Sequence, residues 1–363
     1  LEFRNVRDFA KRFLLVEELT MKTIAGVLTI FGGLWLSAST LCFSQTSYSV
    51  TDLGIINSNG YSVAKAINFN GQVTGSAGVN GSNSSEVFLY SSGAMTSLGT
   101  LGGTSAIGNS INLSGQIAGY SQNSAGTYRA FISSGTTLLD IGDLGGGSAV
   151  AYGINDGGQV VGSAVTSDGS NHPFLYANGR MFDLGTLGSP KGTDWWNSAQ
   201  GVNNSNMVTG TSYDAQGNFF AFVWHNGKMT KMGTLGGLWS QGYAINNKGQ
   251  VTGVGYTTNG LAHAFIANCA TCTLKDLGTF AGSTSTVWGF GINDSGLVVG
   301  RSTFQGTYHA FVYSGGKIRD LNNMIPAGSG WVLTEASGIN SAGQIVGMGT
   351  HNGQTRGFLL TPQ

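Results

Sequence analysis

Ile67-Asn68-Phe69-Asn70-Gly71-Gln72-Val73-Thr74-Gly75 decides the fold, because close variants of this stretch return six more times before residue 348. The anchor asparagines are Asn68, Asn112, Asn155, Asn203, Asn246, Asn293 and Asn340, and a glycine stands seven residues after each, from Gly75 to Gly347. The gaps between anchors are 44, 43, 48, 43, 47 and 47 residues. A period in the forties with no helical spacing inside it points to stacked or radially arranged β units.

The repeat around Asn246 shows what one unit contains. Tyr243-Ala244-Ile245 leads into the turn residue Asn246, and Gln250-Val251-Thr252-Gly253 resumes a strand-like alternation. His263-Ala264-Phe265-Ile266 reads as a third strand and Leu274-Lys275-Asp276-Leu277-Gly278 as a fourth. Four short period-two segments between Gly/Asn/Ser turns make one antiparallel sheet. A type I turn favours Asn at its first position and a left-handed Gly at its fourth. Six repeats have that glycine (Gly71, Gly115, Gly158, Gly249, Gly296, Gly343), and the seventh has Asn206, the residue that best tolerates the same conformation. The anchor Asn is therefore read as a hairpin-shaping residue. Each third strand carries a phenylalanine (Phe88, Phe131, Phe174, Phe222, Phe265, Phe311, Phe358) expected to fill the space between neighbouring sheets. Five of the eleven aspartates after residue 44 (Asp52, Asp140, Asp183, Asp276, Asp320) share the fourth-strand slot, where each is expected to accept backbone amides.

Tyr48 to Gly54 reads as a fourth strand with no first three before it, and the seventh repeat ends after its third strand at Gln363. Pairing the two supplies the missing strand. The expected fold is all-β: a seven-bladed β-propeller of four-stranded antiparallel blades, occupying residues 45–363 and closed by the N-terminal strand.

The strings Asp183-Leu184-Gly185-Thr186-Leu187-Gly188, His263-Ala264-Phe265 and His309-Ala310-Phe311, set around Ile-Asn-x-x-Gly-Gln, resemble the bacterial extracellular repeat family named after its His-Ala-Phe (HAF) tripeptide. The resemblance covers about residues 48–363. It implies secretion and a repeat array of unassigned biochemical function, and it carries over no catalytic residues. Four repeats depart from the tripeptide at Glu86, Arg129, Phe220 and Arg356, which argues against the histidine being a ligand.

The N-terminal 44 residues read differently. Met21-Lys22 followed by the apolar run Ile24–Leu41 and the small residues near Ser44 is a secretory signal peptide, 21–44. Residues 1–20 before it are expected to be an over-extended gene start. Cys42 offers an alternative lipidation point, although Leu41 is a poor residue to precede it. Without residues 1–44 the 17 basic residues fall to 12 and the 17 acidic to 13, so no electrostatic footprint for nucleic acid or an anionic membrane remains. A secreted, cell-surface or periplasmic monomer, not inserted in the membrane after signal removal, is expected.

Catalytic chemistry finds few candidates. His172, His263 and His309 occupy equivalent slots of different repeats, so they are not expected to share a metal, and no cofactor is implied. Cys269-Ala270-Thr271-Cys272 is expected to form a local disulfide, as close pairs in exported proteins do. Glycosidase chemistry needs two carboxylates; Glu335 and Asp194 are the candidates for an alternative reading as a carbohydrate-active enzyme. What breaks the repeat is tryptophan. Trp195, Trp196, Trp239, Trp288 and Trp331 precede the anchors of four successive repeats and are expected on one face. There they stack on sugar rings, or else plug gaps between blades. The leading reading is a secreted non-enzymatic binding or structural module, with a glycan or another exported protein as partner.

Overall fold

The turn chemistry of the anchor is built as its sequence requires. In each repeat the N–H three residues on donates to the anchor carbonyl, at 3.1 Å for Gly71 to Asn68 and 3.0 Å for Gly296 to Asn293. The six glycines have φ of 71–80° and Asn206 has 61°, so asparagine does adopt the left-handed conformation there. The computed structural model describes residues 47–57, 60–79, 84–190, 196–269, 271–280 and 285–363. The signal-peptide and gene-start readings, Cys42, Asp194 and Trp195 lie outside the described residues. The described residues lie in one compact unit, and no helix among them is long and apolar enough to cross a membrane.

Around the Asn246 turn the strands are Gly236–Ile245, Gln250–Thr257, Ala262–Asn268 and Leu274–Asp276, each antiparallel to the one before. Five sheets have this four-stranded pattern. An eight-stranded path holds the first two repeats, whose four-stranded units touch through one parallel bridge between Ser85 and Ser105. Repeat seven contributes Trp331–Ile339, Ile345–His351 and Gln354–Pro362. The N-terminal strand Tyr48–Asp52 pairs antiparallel along the last of these, with Val50 opposite Leu360.

The core lies between sheets, not within one. All seven third-strand phenylalanines are fully buried. Phe358 packs with Val299, Ala310 and Val312 of repeat six, and Phe88 with Val346 of repeat seven. The glycine seven residues after each anchor has its own cause. A Cβ on Gly75 would overlap the Val63 carbonyl, and one on Gly300 the Trp288 carbonyl and the Phe311 ring, with the same carbonyl overlap in the other five repeats. Close approach of the first strand, not φ, requires glycine there.

The fourth-strand aspartates accept backbone amides as expected: Gly54 N–H to Asp52 at 2.8 Å and Gly278 N–H to Asp276 at 2.7 Å. They also pair across the sheet with the first residue of the tripeptide. His263 Nδ1 lies 2.8 Å from Asp276, His309 Nδ1 lies 2.6 Å from Asp320, and Arg129 Nε donates to Asp140 at 2.8 Å. In repeat one the polarity reverses, with Ser97 donating to Glu86. The histidines are thus sheet fasteners, and arginine serves equally well.

Candidate functional site

The first strand of every repeat contains a β-bulge at the same place. In repeat one Ala64 pairs with Gly75 and Ala66 with Thr74, so Lys65 has no partner. The same shift isolates Asn109, Tyr152, Gln200, Tyr243, Phe290 and Ser337, always three residues before the anchor. A bulged residue drops out of the ladder and its side chain is re-aimed. Here the seven bulge residues line one cavity of about 330 Å³, together with every anchor but Asn68 and with the residue after each anchor except Leu113. That is within the usual span for small-ligand sites, ~300–1,000 Å³. Small residues flank each bulge and let the first strands come together: a Cβ on Gly201 would lie 3.3 Å from Ala244 Cα, and one on Gly338 3.3 Å from Ala66 Cα.

Below the bulges, the anchors do more than shape turns. Each anchor Oδ1 accepts the N–H four residues on, while Nδ2 donates to the carbonyl of the next repeat's anchor. The inter-repeat bonds run Asn68 to Asn112 (2.9 Å), Asn112 to Asn155 (3.2 Å), Asn155 to Asn203 (3.0 Å) and Asn203 to Asn246 (3.0 Å). They continue Asn246 to Asn293 (2.9 Å), Asn293 to Asn340 (3.0 Å) and Asn340 back to Asn68 (3.0 Å). All seven anchors are 3–5% exposed, so each bond is shielded from water. The hairpin reading was incomplete. A turn alone would admit Asp, which accepts equally but has no N–H to pass on; seven asparagines and no aspartate was the available signal.

One residue further on, the cavity mouth is uneven. Leu113 N–H donates to Asp156, Asp156 N–H to Asn204, Asn204 N–H to Asn247, and Asn247 N–H to Asp294, at 2.8–3.0 Å. Phe69 and Leu113 occupy the same slot in repeats one and two and are exposed. Within the cavity wall, burial pushes the Tyr152 hydroxyl up to about 12, with Tyr120 adding to it, and burial likewise raises Tyr243 despite the opposing Arg301 charge. Both remain neutral hydroxyls at physiological pH, able to donate and accept.

The tryptophans do not form the expected shared surface. Trp239 sits between Phe219 (4.8 Å between ring centres) and Tyr256 (3.9 Å), within its own repeat and the third strand before it. Trp288 lies against Tyr243 and Arg301. Trp331 is 9% exposed and stacks flat on His351 at 4.7 Å, so it is closed to a sugar ring. The reason is register: Trp331 is paired with His351 and Trp288 with Arg301 across the first two strands, so Trp331 folds onto its own sheet and Trp288 packs between its sheet and Tyr243 of the repeat before. Trp196 alone of the described four is exposed. Cys269 and Cys272 are free thiols, not the expected bridge. Cys272 Sγ donates to the Cys269 carbonyl at 3.3 Å, in a turn where Cys272 itself is left-handed at φ 53°. Glu335 is buried among Arg301, Lys65 and Ser337, none of them a carboxylate. Among the described residues no group of three His, Cys, Asp or Glu is placed to hold a metal ion.

The bulge ring was missed by sequence reasoning, yet it has a signature. Ala or Gly stands four residues before every anchor and Ala, Ser or Gly two before, while the residue between them differs from repeat to repeat. Small, variable, small is the trace of a bulge pressed between close strands.

No family model and no curated protein matches the chain. Solved structures do. The β-propeller domain of the trilobed protease from Pyrococcus furiosus, described as having an open velcro topology, is similar at a TM-score of 0.55 and 14% identity, over 83% of this chain and 95% of that one. A puromycin-hydrolyzing peptidase of Mycobacterium tuberculosis (TM-score 0.54, 12% identity) and the acylaminoacyl peptidase of Pyrococcus horikoshii (0.54, 12%) match over 83% and 84% of this chain. The chain spans about half the length of those two peptidases, 52% of each. The fold is a β-propeller. Its sheets are the four-stranded antiparallel units described above.

Proposed function

We propose that this is an exported, non-enzymatic binding propeller of seven blades, belonging with the HAF-repeat proteins, and that its ligand is a glycan held in the central channel. In this reading the N-terminal strand completes the last blade and closes the ring. The pairing of Tyr48–Asp52 with Gln354–Pro362 and the bond from Asn340 to Asn68 support closure. One observation carries the ligand site: the seven bulge residues converge on one cavity, and they vary between flanking positions that stay small. They supply two amides, two phenols, a hydroxyl, an ammonium and a phenyl ring. That mixture suits a sugar, whose hydroxyls need donors and acceptors and whose C–H faces need aromatic rings. The peptidase neighbours carry no argument for hydrolysis, because likeness at this identity reports the fold alone.

A glycan array read with native protein, Tyr243→Ala, Gln200→Ala and Trp196→Ala tests the reading. Binding should fall about tenfold or more in the two channel variants, as when a hydrogen-bonding or stacking group is lost, and persist in Trp196→Ala. Binding lost in Trp196→Ala but kept in both channel variants would move the site to the outer surface. Product release from a bound glycan would overturn the non-enzymatic assignment.

A further inference from the structure

Three positions of the repeat are charged once only. Lys65 is the sole charged bulge residue, Glu335 the sole charged residue five before an anchor, and Arg301 the sole charged residue eight after one. They come from repeats one, seven and six, and they meet. Arg301 Nη1 donates to Glu335 Oε2 at 3.0 Å, and Lys65 Nζ lies 3.7 Å from Glu335 Oε1. The Glu335 side chain is nine-tenths buried, while Arg301 keeps 26% and Lys65 34% of their side-chain surface open.

An ion pair that served the fold alone needs one cation. Here two cations face one carboxylate, and one positive charge is left over. The Arg301 guanidinium is also flanked by three rings, its carbon 4.5 Å from the centre of Tyr308 and 5.5 Å from those of Trp288 and Phe290. Its Nε is buried and has no hydrogen-bond partner. A buried guanidinium N–H without an acceptor is costly, and its cost is offset where an acceptor arrives from outside. The cluster abuts the channel: Lys65, Phe290 and Ser337 line the cavity, and the Ser337 hydroxyl is 3.3 Å from Glu335 Oε1.

We propose that Arg301 and Lys65, with the rings of Trp288 and Tyr308, form a subsite for a carboxylated sugar, a uronate. This rests on the channel being the glycan site and names the class of glycan it takes. One surplus positive charge matches one carboxylate and falls short of a phosphate dianion. Guanidinium is suited to a planar carboxylate, and ring faces beside it suit the sugar to which the carboxylate is attached. Glu335 acts as a positioning residue that holds the guanidinium between its rings.

The probes are a six-unit oligogalacturonate and its fully methyl-esterified form, titrated calorimetrically into native protein. The acid should bind about ten- to a hundredfold tighter than the ester, the span of one charged hydrogen-bonded contact, and added salt should narrow the gap. Lys65→Met leaves the Arg301–Glu335 pair in place, so it tests the charge without breaking the buried pair. It should remove most of the preference for the acid. Equal binding of acid and ester, or a preference untouched in Lys65→Met, overturns the subsite while the channel reading stands. Failure of both probes and of every neutral glycan on the array overturns the channel reading and the subsite with it.

Discussion

Replacing an anchor asparagine should reveal whether the amide bonds between repeats hold the ring. Asn246 Oδ1 accepts the N–H groups of Lys248 (3.1 Å) and Gln250 (2.8 Å), and its Nδ2 donates to Gln250 Oε1 (2.8 Å) and to the Asn293 carbonyl (2.9 Å). Asn203 makes three of the equivalent bonds. It has Met207 where Asn246 has Gln250, so its Nδ2 donates only to the next repeat. At about 1 kcal/mol net per buried hydrogen bond, Asn246→Ala should cost about 4 kcal/mol and Asn203→Ala about 3 kcal/mol. Asn246→Asp separates the turn from the ring. It keeps both accepted bonds but sets a buried carboxylate against the Asn293 carbonyl and Gln250 Oε1. Its carboxyl is thereby disfavoured as an anion, and folding should improve as the pH falls toward ~4, where the carboxyl protonates and can donate. The assay is urea unfolding followed by tryptophan fluorescence at neutral and mildly acid pH. An Asp variant as stable as native protein at pH 7, or one that weakens further in acid relative to native protein, would refute the account of the ring.

Removing residues through Leu53 should strip the outer strand from the last sheet and expose its Gln354–Pro362 edge. Tyr48 and Leu53, 5% and 3% exposed, each contribute roughly 1.5–3 kcal/mol of apolar burial, so the urea midpoint should drop sharply; an unchanged midpoint would argue against closure. Burial pushes the Asp214 carboxyl up, but the Lys231 ammonium and the N–H groups of Asn218 and Gln216 outweigh it and hold it below the usual carboxylate range. The stabilisation is complete above the unfolded value of ~3.9 and lost as pH falls through the depressed one, so Asp214→Asn should flatten acid unfolding in that window, and an unchanged acid profile would count against the pair. Burial, with Cys272 beside it, pushes the Cys269 thiol up to about 12. At pH 8 iodoacetamide should therefore label Cys272 well before Cys269, a mass-spectrometric result that a Cys269–Cys272 disulfide in the purified protein would contradict.

The repeat could be read from sequence because it is written in residues that each have one local job. Gly71 and its counterparts turn the chain, Phe88 and its counterparts fill the gaps, and Asp276 takes an amide two residues on. These are near-neighbour effects, and near neighbours in space are near in sequence. A common spacing from the anchor does not give the tryptophans a common direction. Register instead folds Trp331 onto His351 and Trp288 onto Arg301, in separate repeats. Contacts such as Asn340 to Asn68, 272 residues apart, and Arg301 to Glu335, 34 apart, belong to the meeting of repeats. No local pattern specifies them, although the fixed asparagine and the small residues around each bulge bear their mark.

The bulge also explains how one scaffold can keep a rigid frame and a free interior. A residue in the ladder is bound by its cross-strand partner, and a residue between sheets by the close packing of its neighbours. The bulge residue has no cross-strand partner and borders the cavity, so neighbours hold only part of it, as where Tyr243 meets Trp288 and Phe290. Lys65, Tyr152 and Phe290 differ in charge, size and polarity, yet the flanking pairs Ala64–Gly75 and Ala66–Thr74 recur in kind around them. The frame, by contrast, is intolerant at the adjoining positions. A side chain on Gly153 would reach 3.0 Å from the Gln200 carbonyl and 3.2 Å from Gly201 Cα, so any gain in volume there must push two first strands apart. Variation at the bulge changes the lining of the cavity, and variation at the adjoining residue changes whether the first strands can approach closely enough to form it. Lys65, Arg301 and Glu335 depart from the repeat while the small residues beside them, Ala64, Gly300 and Ala336, keep to it, so their individuality leaves the frame intact.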